Sequence, residues 1–285
     1  MRIKPFYDET TYTLTYVVYD ETSKDAVLID PVLNYDPGAS QISLESYKIV
    51  SEFLKSNHLN LHYVLETHAH ADHLSSSQYF KGDYPEAKVA IGENITQVQQ
   101  VFKQLFNWED LKTDGSQFDV LLKDREVIQA GTLKIKVINT PGHTPACVSY
   151  WIKNAVFTGD ALFIEDYGTG RCDFPGGSVN DSYTSIHNTL YNLPENTRVF
   201  VGHDYQPGGR AMRYETTIGT SKLENKYLQD NTTRAEFAKF RTERDRGLAA
   251  PRLLLPSVQV NINAGNLPKP EKNGMSYLKI PVRSK

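Results

Sequence analysis

Residues 67–73, with the sequence THAHADH, contain four side chains of the types that bind metal ions: His68, His70, Asp72 and His73. Imidazole nitrogens and carboxylate oxygens are ligands for zinc and for ferrous iron. Because residues two apart in an extended chain project to the same side, His68 and His70 are predicted to hold one ion together. An apolar, strand-like run precedes this segment, so we expect the segment to form a loop at the end of a strand.

Three further candidate ligands follow downstream: His143 in TPGHTP, Asp160 in FTGD and His203 in VFVGHD. Each comes after an apolar, strand-prone run, and a side chain just past a strand lies on a loop held by a rigid scaffold. Five of the eight histidines fall within these four segments. This clustering favours a metal site over the alternative that these are ordinary surface or core histidines.

Hydrophobic periodicity predicts the elements that position these loops. Strands are expected at 12–19 and 26–30, with a turn at 21–24. Ser40 is expected to open a helix that runs from Ile42 to Leu54, and residues 98–106 form a second amphipathic pattern. The later pattern predicts strands at 127–128, 133–138, 148–152 and 155–157, a helix over 183–191 and a strand ending at Val201.

The composition changes from about Pro207. Residues 232–248 alternate charges around a few apolar positions, which predicts a solvated helix whose charges need no functional role. The expected buried stripe comprises Ala235, Phe237, Ala238, Phe240 and Leu248. The proline-rich final segment is expected to form extended arms or turns. We therefore divide the chain into a catalytic domain at 1–210 and an extension at 211–285 packed against it.

The series THAHADH, PGHT, FTGDALF and VGHDY resembles the metallo-β-lactamase superfamily over about residues 10 to 210. The resemblance implies an α/β (α+β) fold, the αββα metallo-β-lactamase sandwich, with a metal site along one edge of its two sheets. It also implies two metal positions, with Asp160 able to bridge them. These would be formed by His68, His70 and His143 on one side and by Asp72, His73 and His203 on the other.

Residues 170–174, GRCDF, and the tail at 255–268 narrow the resemblance to the persulfide dioxygenase branch, which is related to glyoxalase II and to β-lactamase-hydrolase-like proteins. That branch implies one Fe(II) bound by His68, His143 and Asp160. Two histidines and one carboxylate mark non-haem iron oxygenases. The implied reaction oxidises glutathione persulfide, or a related small persulfide, with O₂ to sulfite and thiol in sulfide detoxification.

In this one-iron interpretation the remaining polar groups would orient ligands, hold water and move protons, with Asp72 counted as catalytic. They are His70, Asp72, His73 and His203. The same inventory also allows two Zn(II) ions about 3.5–4 Å apart that share a hydroxide. A glyoxalase II-like hydrolase of S-acylglutathione is therefore the alternative. A non-catalytic metal or persulfide sensor is disfavoured because every ligand is retained, and β-lactam hydrolysis ranks lowest.

Substrate contacts are predicted at two positions. Arg171 could clamp a glutathione carboxylate, or it could form a structural ion pair with Asp173. Tyr205 could contact the substrate or pack beneath its loop. A Lys or Arg from the C-terminal region could add an anion contact, although the sequence does not select one. Cys172 is expected to be an inert buried thiol.

The whole-chain composition limits the partners and the compartment. The net charge of −3, without an extended Lys/Arg block, argues against nucleic-acid binding. Nowhere do about 18 apolar residues run together, and the first residues lack a signal core, so we expect a cytoplasmic protein without a membrane partner. Two cysteines do not describe a disulfide scaffold, which fits a reducing compartment. The family resemblance adds the expectation of a homodimer.

Overall fold

Two six-stranded sheets form the centre of the molecule, and the computed structural model describes residues 1–282. The strands are β1 Arg2–Asp8, β2 Thr13–Tyr19, β3 Asp25–Ile29, β4 Val32–Asp36, β5 Gln41–Ser43, β6 Asn60–Leu65, β7 Leu74–Ser75, β8 Lys88–Gly92, β9 Val120–Leu122, β10 Val127–Ala130, β11 Leu133–Asn139, β12 Val148–Ile152, β13 Ala155–Phe157, β14 Arg198–Phe200 and β15 Glu215–Thr217. The α-helices are α1 Glu45–Ser56, α2 Ser77–Asp83, α3 Ile95–Leu105, α4 Val179–Tyr183, α5 Ile218–Glu224, α6 Arg234–Arg246 and α7 Leu254–Asn261. A π-helical stretch at Thr184–Thr189 continues α4.

The first sheet has the order β1-β2-β3-β6-β8-β9, the second has β10-β11-β12-β13-β14-β15, and a small third sheet has β5-β4-β7. Alternation along β2 shows how the layers are built, because neighbouring residues of a strand point to opposite faces. Tyr16 packs with Phe157 and Phe200 of the second sheet. Val17 joins a separate core with Leu54. The predicted αββα sandwich is confirmed.

Parallel pairing brings the ligand loops to one edge. β6 runs parallel to β3, and β14 runs parallel to β13. The loops after β6, β13 and β14 carry the THAHADH segment, Asp160 and His203, respectively. The backbone N–H of Leu14, in β2, donates to the carbonyl oxygen of Gly202 at 2.8 Å, which joins the first sheet to a ligand loop of the second.

The predicted helix from Ser40 begins later than expected. Ser40 has a φ of 52°, a left-handed turn conformation that does not open a helix. Ile42 lies in β5, and the helix begins only at Glu45. The apolar pattern placed the start of the helix too early, because the short strand β5 lies just before it and Ile42 fits the apolar spacing of the helix.

The C-terminal predictions need two corrections. The final segment is not wholly extended, since α7 is a buried helix that includes Pro256. Proline is tolerated there because it occupies the first helical turn, where backbone N–H groups have no partner within the helix. In α6 the buried positions are Phe237, Arg241 and Asp245.

The predicted apolar stripe of α6 is therefore wrong in part, because Ala235 and Leu248 are exposed. An ion pair between Arg241 and Asp245 occupies the inner face instead. β15, which follows the proposed boundary at 210, completes the second sheet. Residues 283–285 of the predicted extension lie outside the described residues. Within 1–282, no helix has the length and apolarity needed to span a membrane.

Candidate metal centre

The loops bring together two groups of ligand atoms. The first ligand set is His68, His143 and Asp160, whose ligand atoms lie within 4.8 Å of one another. Asp160 Oδ2 is 3.9 Å from His68 Nε2 and 3.6 Å from His143 Nε2. All three residues are largely buried. Their separation suits donors that surround a shared ion, since metal–nitrogen bonds are about 2.0–2.1 Å long.

Hydrogen bonds orient both imidazoles of this set. His68 Nδ1 lies 3.0 Å from the hydroxyl of Thr67, which in turn donates to Asp30 Oδ2 at 2.8 Å. His143 Nδ1 lies 2.8 Å from the carbonyl oxygen of Arg171. Because that carbonyl can only accept, Nδ1 carries the proton and Nε2 is left as a bare donor atom. These contacts fix the tautomer and the ring direction that a metal requires.

Close backbone packing fixes Asp160. A Cβ on Gly170 would lie 1.9 Å from the carbonyl oxygen of Asp160, and a Cβ on Gly202 would lie 2.9 Å from its Oδ1. Both positions therefore require glycine if the carboxylate is to keep this place. This packing explains why glycine directly precedes Arg171 in GRCDF and His203 in VGHDY.

The second ligand set is His70, Asp72, His73 and His203, whereas the resemblance implied that His70 would group with His68 and His143. Ligand atoms of the first three lie within 4.8 Å of one another. His203 Nε2 is 3.4 Å from Asp72 Oδ2 and 3.3 Å from Asp160 Oδ1, so Asp160 faces both sets. His70 Nε2 lies 3.0 Å from Asp30 Oδ1. His70 Nδ1 has no hydrogen-bond partner within residues 1–282 and is therefore the nitrogen available to an ion.

The electrostatic environment differs among the histidines. Burial, with the neighbouring His70 and His143, lowers the pKa of His68 well below its ordinary value, which keeps the imidazole neutral as a metal requires. Burial and His70 likewise lower the pKa of His73 to about 4. For His70, burial works downward, but Asp30 and Glu66 outweigh it and hold the pKa well above the ordinary value. Asp160 and Asp72 similarly outweigh burial and raise the pKa of His203.

The residues fit a bound metal ion. Four buried ligand atoms have no hydrogen-bond partner within residues 1–282: His68 Nε2, His70 Nδ1, His73 Nε2 and Asp160 Oδ1. Buried polar atoms are normally paired, and orphans that converge on one place indicate a missing ligand. The donor set, imidazole and carboxylate, suits Zn(II) and Fe(II). The chain thus carries a His/Asp metal-binding cluster.

A cavity of about 330 Å³ opens over the cluster, and His143, Asp160 and Asp72 line it. One wall is aromatic. The Tyr205 ring lies 4.6 Å from the ring of Tyr167 and 5.4 Å, stacked, from that of His203. Tyr205 therefore both packs against its neighbours and faces the cavity, where its substrate contact stays a prediction.

Arg171 also lines the cavity, but its guanidinium makes a bidentate pair with Asp173 at 2.6 and 2.7 Å and donates to the Ala249 carbonyl. The structural interpretation of Arg171 is thus observed, and a carboxylate clamp remains a prediction. Arg244 and Arg252 line the same cavity, and neither pairs with a carboxylate within residues 1–282. The sequence could not select these two among many C-terminal cations.

Cys172 is 5% exposed, and burial raises its pKa to about 12, which agrees with an inert thiol.

Asp30 was missed from the sequence. Its position could have indicated it, because Asp30 directly follows the apolar strand β3, and Asp160 likewise lies just after β13. Asn261, which bonds to the metal loop, carried no comparable signal.

Two packed sheets flanked by helices, with a His/Asp cluster at one edge, define a metal-dependent enzyme fold. The family model described as the metallo-beta-lactamase superfamily matches residues 9–203, and the chain belongs to that superfamily.

Relatives and solved structures agree with this assignment. The chain is 48% identical to Glyoxylase B2 of Dictyostelium discoideum over 99% of this chain and 97% of that protein. It is 30% identical to the mitochondrial persulfide dioxygenase ETHE1 of Homo sapiens over 71% of this chain and 68% of that one. The crystal structure of ETHE1 from Myxococcus xanthus matches with a TM-score of 0.75 and 29% identity, covering 93% of this chain and all of that one (100%).

Proposed function

We propose that this protein is a persulfide dioxygenase that binds one Fe(II) through His68, His143 and Asp160. Its substrate is glutathione persulfide or a related small persulfide, which O₂ oxidises to sulfite and thiol. The observation that carries the proposal is the convergence of two buried imidazoles and one carboxylate beneath an open cavity. Iron held by such a set would supply neighbouring open positions for sulfur and O₂.

The reaction balances without a further redox partner. One persulfide, one O₂ and one water give one thiol, one sulfite and two protons, and the electrons that reduce O₂ come from the terminal sulfur. Protons must therefore leave the site. His203 stands at a place to receive them, because its Nε2 faces Asp72 and Asp160 while its Nδ1 lies 3.2 Å from the Tyr12 carbonyl.

The cavity suits an elongated anionic thiol. Its aromatic wall, with Tyr167 and Tyr205, offers an apolar surface to the persulfide sulfur, and the guanidinium of Arg244 lies 5.5 Å from the Tyr167 ring. Arg244 and Arg252, which also line the cavity, could bind the carboxylates of the thiol that carries the persulfide. ETHE1 relatives named persulfide dioxygenases support the reaction class.

A two-zinc thioester hydrolase acting on S-acylglutathione is the second candidate. The grouping of His70, Asp72 and His73 favours it, because these atoms could hold a second ion. The relative named Glyoxylase B2 supports it as well.

Oxygen uptake separates the two candidates. Anaerobically purified, Fe(II)-loaded protein is given glutathione persulfide, and O₂ consumption and sulfite are measured in one vessel. We expect rapid uptake with one sulfite per O₂. Absence of uptake from protein shown to hold iron, together with hydrolysis of S-lactoylglutathione by the zinc form, would replace the dioxygenase with the hydrolase.

A further inference from the structure

The buried side chain of Asn261 reaches the metal loop from the last helix. Asn261 is 5% exposed and lies at the end of α7. Its Nδ2 donates to the carbonyl oxygens of His70 and His73, both at 2.8 Å. Its Oδ1 accepts from the backbone N–H of Ser75, also at 2.8 Å. The Asn261 amide therefore makes three hydrogen bonds to the backbone of a single turn, His70–Ser75.

These bonds act on residues that bear ligands. The turn from His70 to Ser75 lies outside regular structure until β7, so no ladder or helix fixes the carbonyls of His70 and His73. Backbone groups buried without partners are costly, and a side-chain amide matches two carbonyls and one N–H in a way few other side chains can.

The segment that carries Asn261 is itself anchored. The carbonyl oxygen of Ala264 accepts from Ser77 Oγ and Gln78 Nε2, and the carbonyl of Ile262 accepts from Gln99 Nε2. These contacts link the tail to α2 and α3 beside the metal loop. Asn261 is thus a fixed support rather than a mobile neighbour.

We infer that Asn261 is a positioning residue that holds the His70–Ser75 turn in the conformation that receives a metal ion. The ion concerned is one held by His70, Asp72 and His73, and its binding does not depend on which reaction the first set performs. Groups that orient metal ligands typically change affinity by about 10–100-fold when removed. A loop that must rearrange to offer its nitrogens binds more weakly than one already arranged.

The test measures Zn²⁺ affinity of the full chain by competition with a chromophoric chelator, without substrate. Asn261→Ala should weaken binding by about 10–100-fold. Asn261→Asp keeps volume and the acceptor for Ser75 but loses the amide donors, so it should also weaken binding. Asn263→Ala is the matched control, because the Asn263 amide bonds only locally to Asn266 among residues 1–282 and its loss should leave affinity unchanged.

Wild-type affinity in a folded Asn261→Ala protein would overturn the inference. Lower melting temperature with unchanged affinity would also overturn it, because it would show a structural role alone. If the variants do not fold, hydrogen exchange in the metal-free wild-type protein decides: slow exchange of the Ser75 amide supports the clamp, and exchange at the rate of an exposed amide refutes it. Because no turnover is measured, failure here is separable from failure of the proposed reaction.

Discussion

The first and second ligand sets share one carboxylate but differ in their surroundings. In the first set, burial and the neighbouring His70 and His143 lower the pKa of His68, which favours its neutral imidazole. In the second set, carboxylates raise the pKa of His70 and His203, whereas burial and His70 lower the pKa of His73 to about 4. On His70, Asp30 faces Nε2, and Nδ1 stays available to an ion. Two sets with the same residue types thus differ in their charged surroundings, so we expect them to differ in how tightly they bind an ion.

Removing the shared carboxylate should have the largest effect. Asp160→Ala takes an oxygen from both sets, so we expect loss of iron and a fall in kcat/KM of about 10³-fold or more, since a metal ion contributes several kcal/mol to such reactions. Metal analysis and steady-state kinetics on the same sample check this. Full iron occupancy with full turnover would show that Asp160 is not a ligand.

Changing the second set alone distinguishes one ion from two. His203→Ala should lower turnover by about 10–100-fold while leaving one metal per chain. Elemental analysis of wild type and variant provides the count. A fall from two metals to one would mean that the second set binds an ion, and it would contradict the one-iron proposal.

Removing a cation that lines the cavity should have a smaller effect, limited to the binding of the persulfide substrate. Arg244→Ala should raise KM for glutathione persulfide about tenfold, or about 1.4 kcal/mol, with kcat unchanged, because the lost charge acts on binding alone. Arg246→Ala, on the same helix and exposed, serves as the control. Equal KM values in the two variants would remove Arg244 from substrate recognition.

Cys172 should matter least. Its buried thiol has a pKa raised to about 12, so the thiolate is nearly absent at neutral pH. We expect Cys172→Ala to change turnover by less than about twofold, and iodoacetamide to label Cys172 only after unfolding. Rapid labelling of the native protein, with loss of activity, would assign the thiol a chemical role.

The sequence predicted the sandwich and the ligand loops because both depend on local signals. Apolar runs mark strands, and a polar residue just after such a run, like Asp160 or His203, lies where function concentrates. The start of α1 could not be placed in this way, since β5 continued the apolar pattern into it.

The supports of the site could not be predicted because they act over long chain separations. Asn261 and the residue it supports at His70 stand 191 positions apart. The prolines around α7 suggested extended chain, although Pro256 is harmless in a first turn. Arg241 looked like one solvated charge among many, and only packing shows it buried beside Asp245 and the Thr169 carbonyl.

The position of Asn261 near the end of the chain also bears on how the protein is made. A ribosome delivers His70 long before Asn261, and at about 5–20 residues per second the 191-residue interval lasts on the order of 10–40 s. During that time the nascent chain carries His70, Asp72 and His73 without the Asn261 side chain that contacts their turn. Under our inference, a fragment released before α7 would carry these histidines without the support that Asn261 gives to their turn.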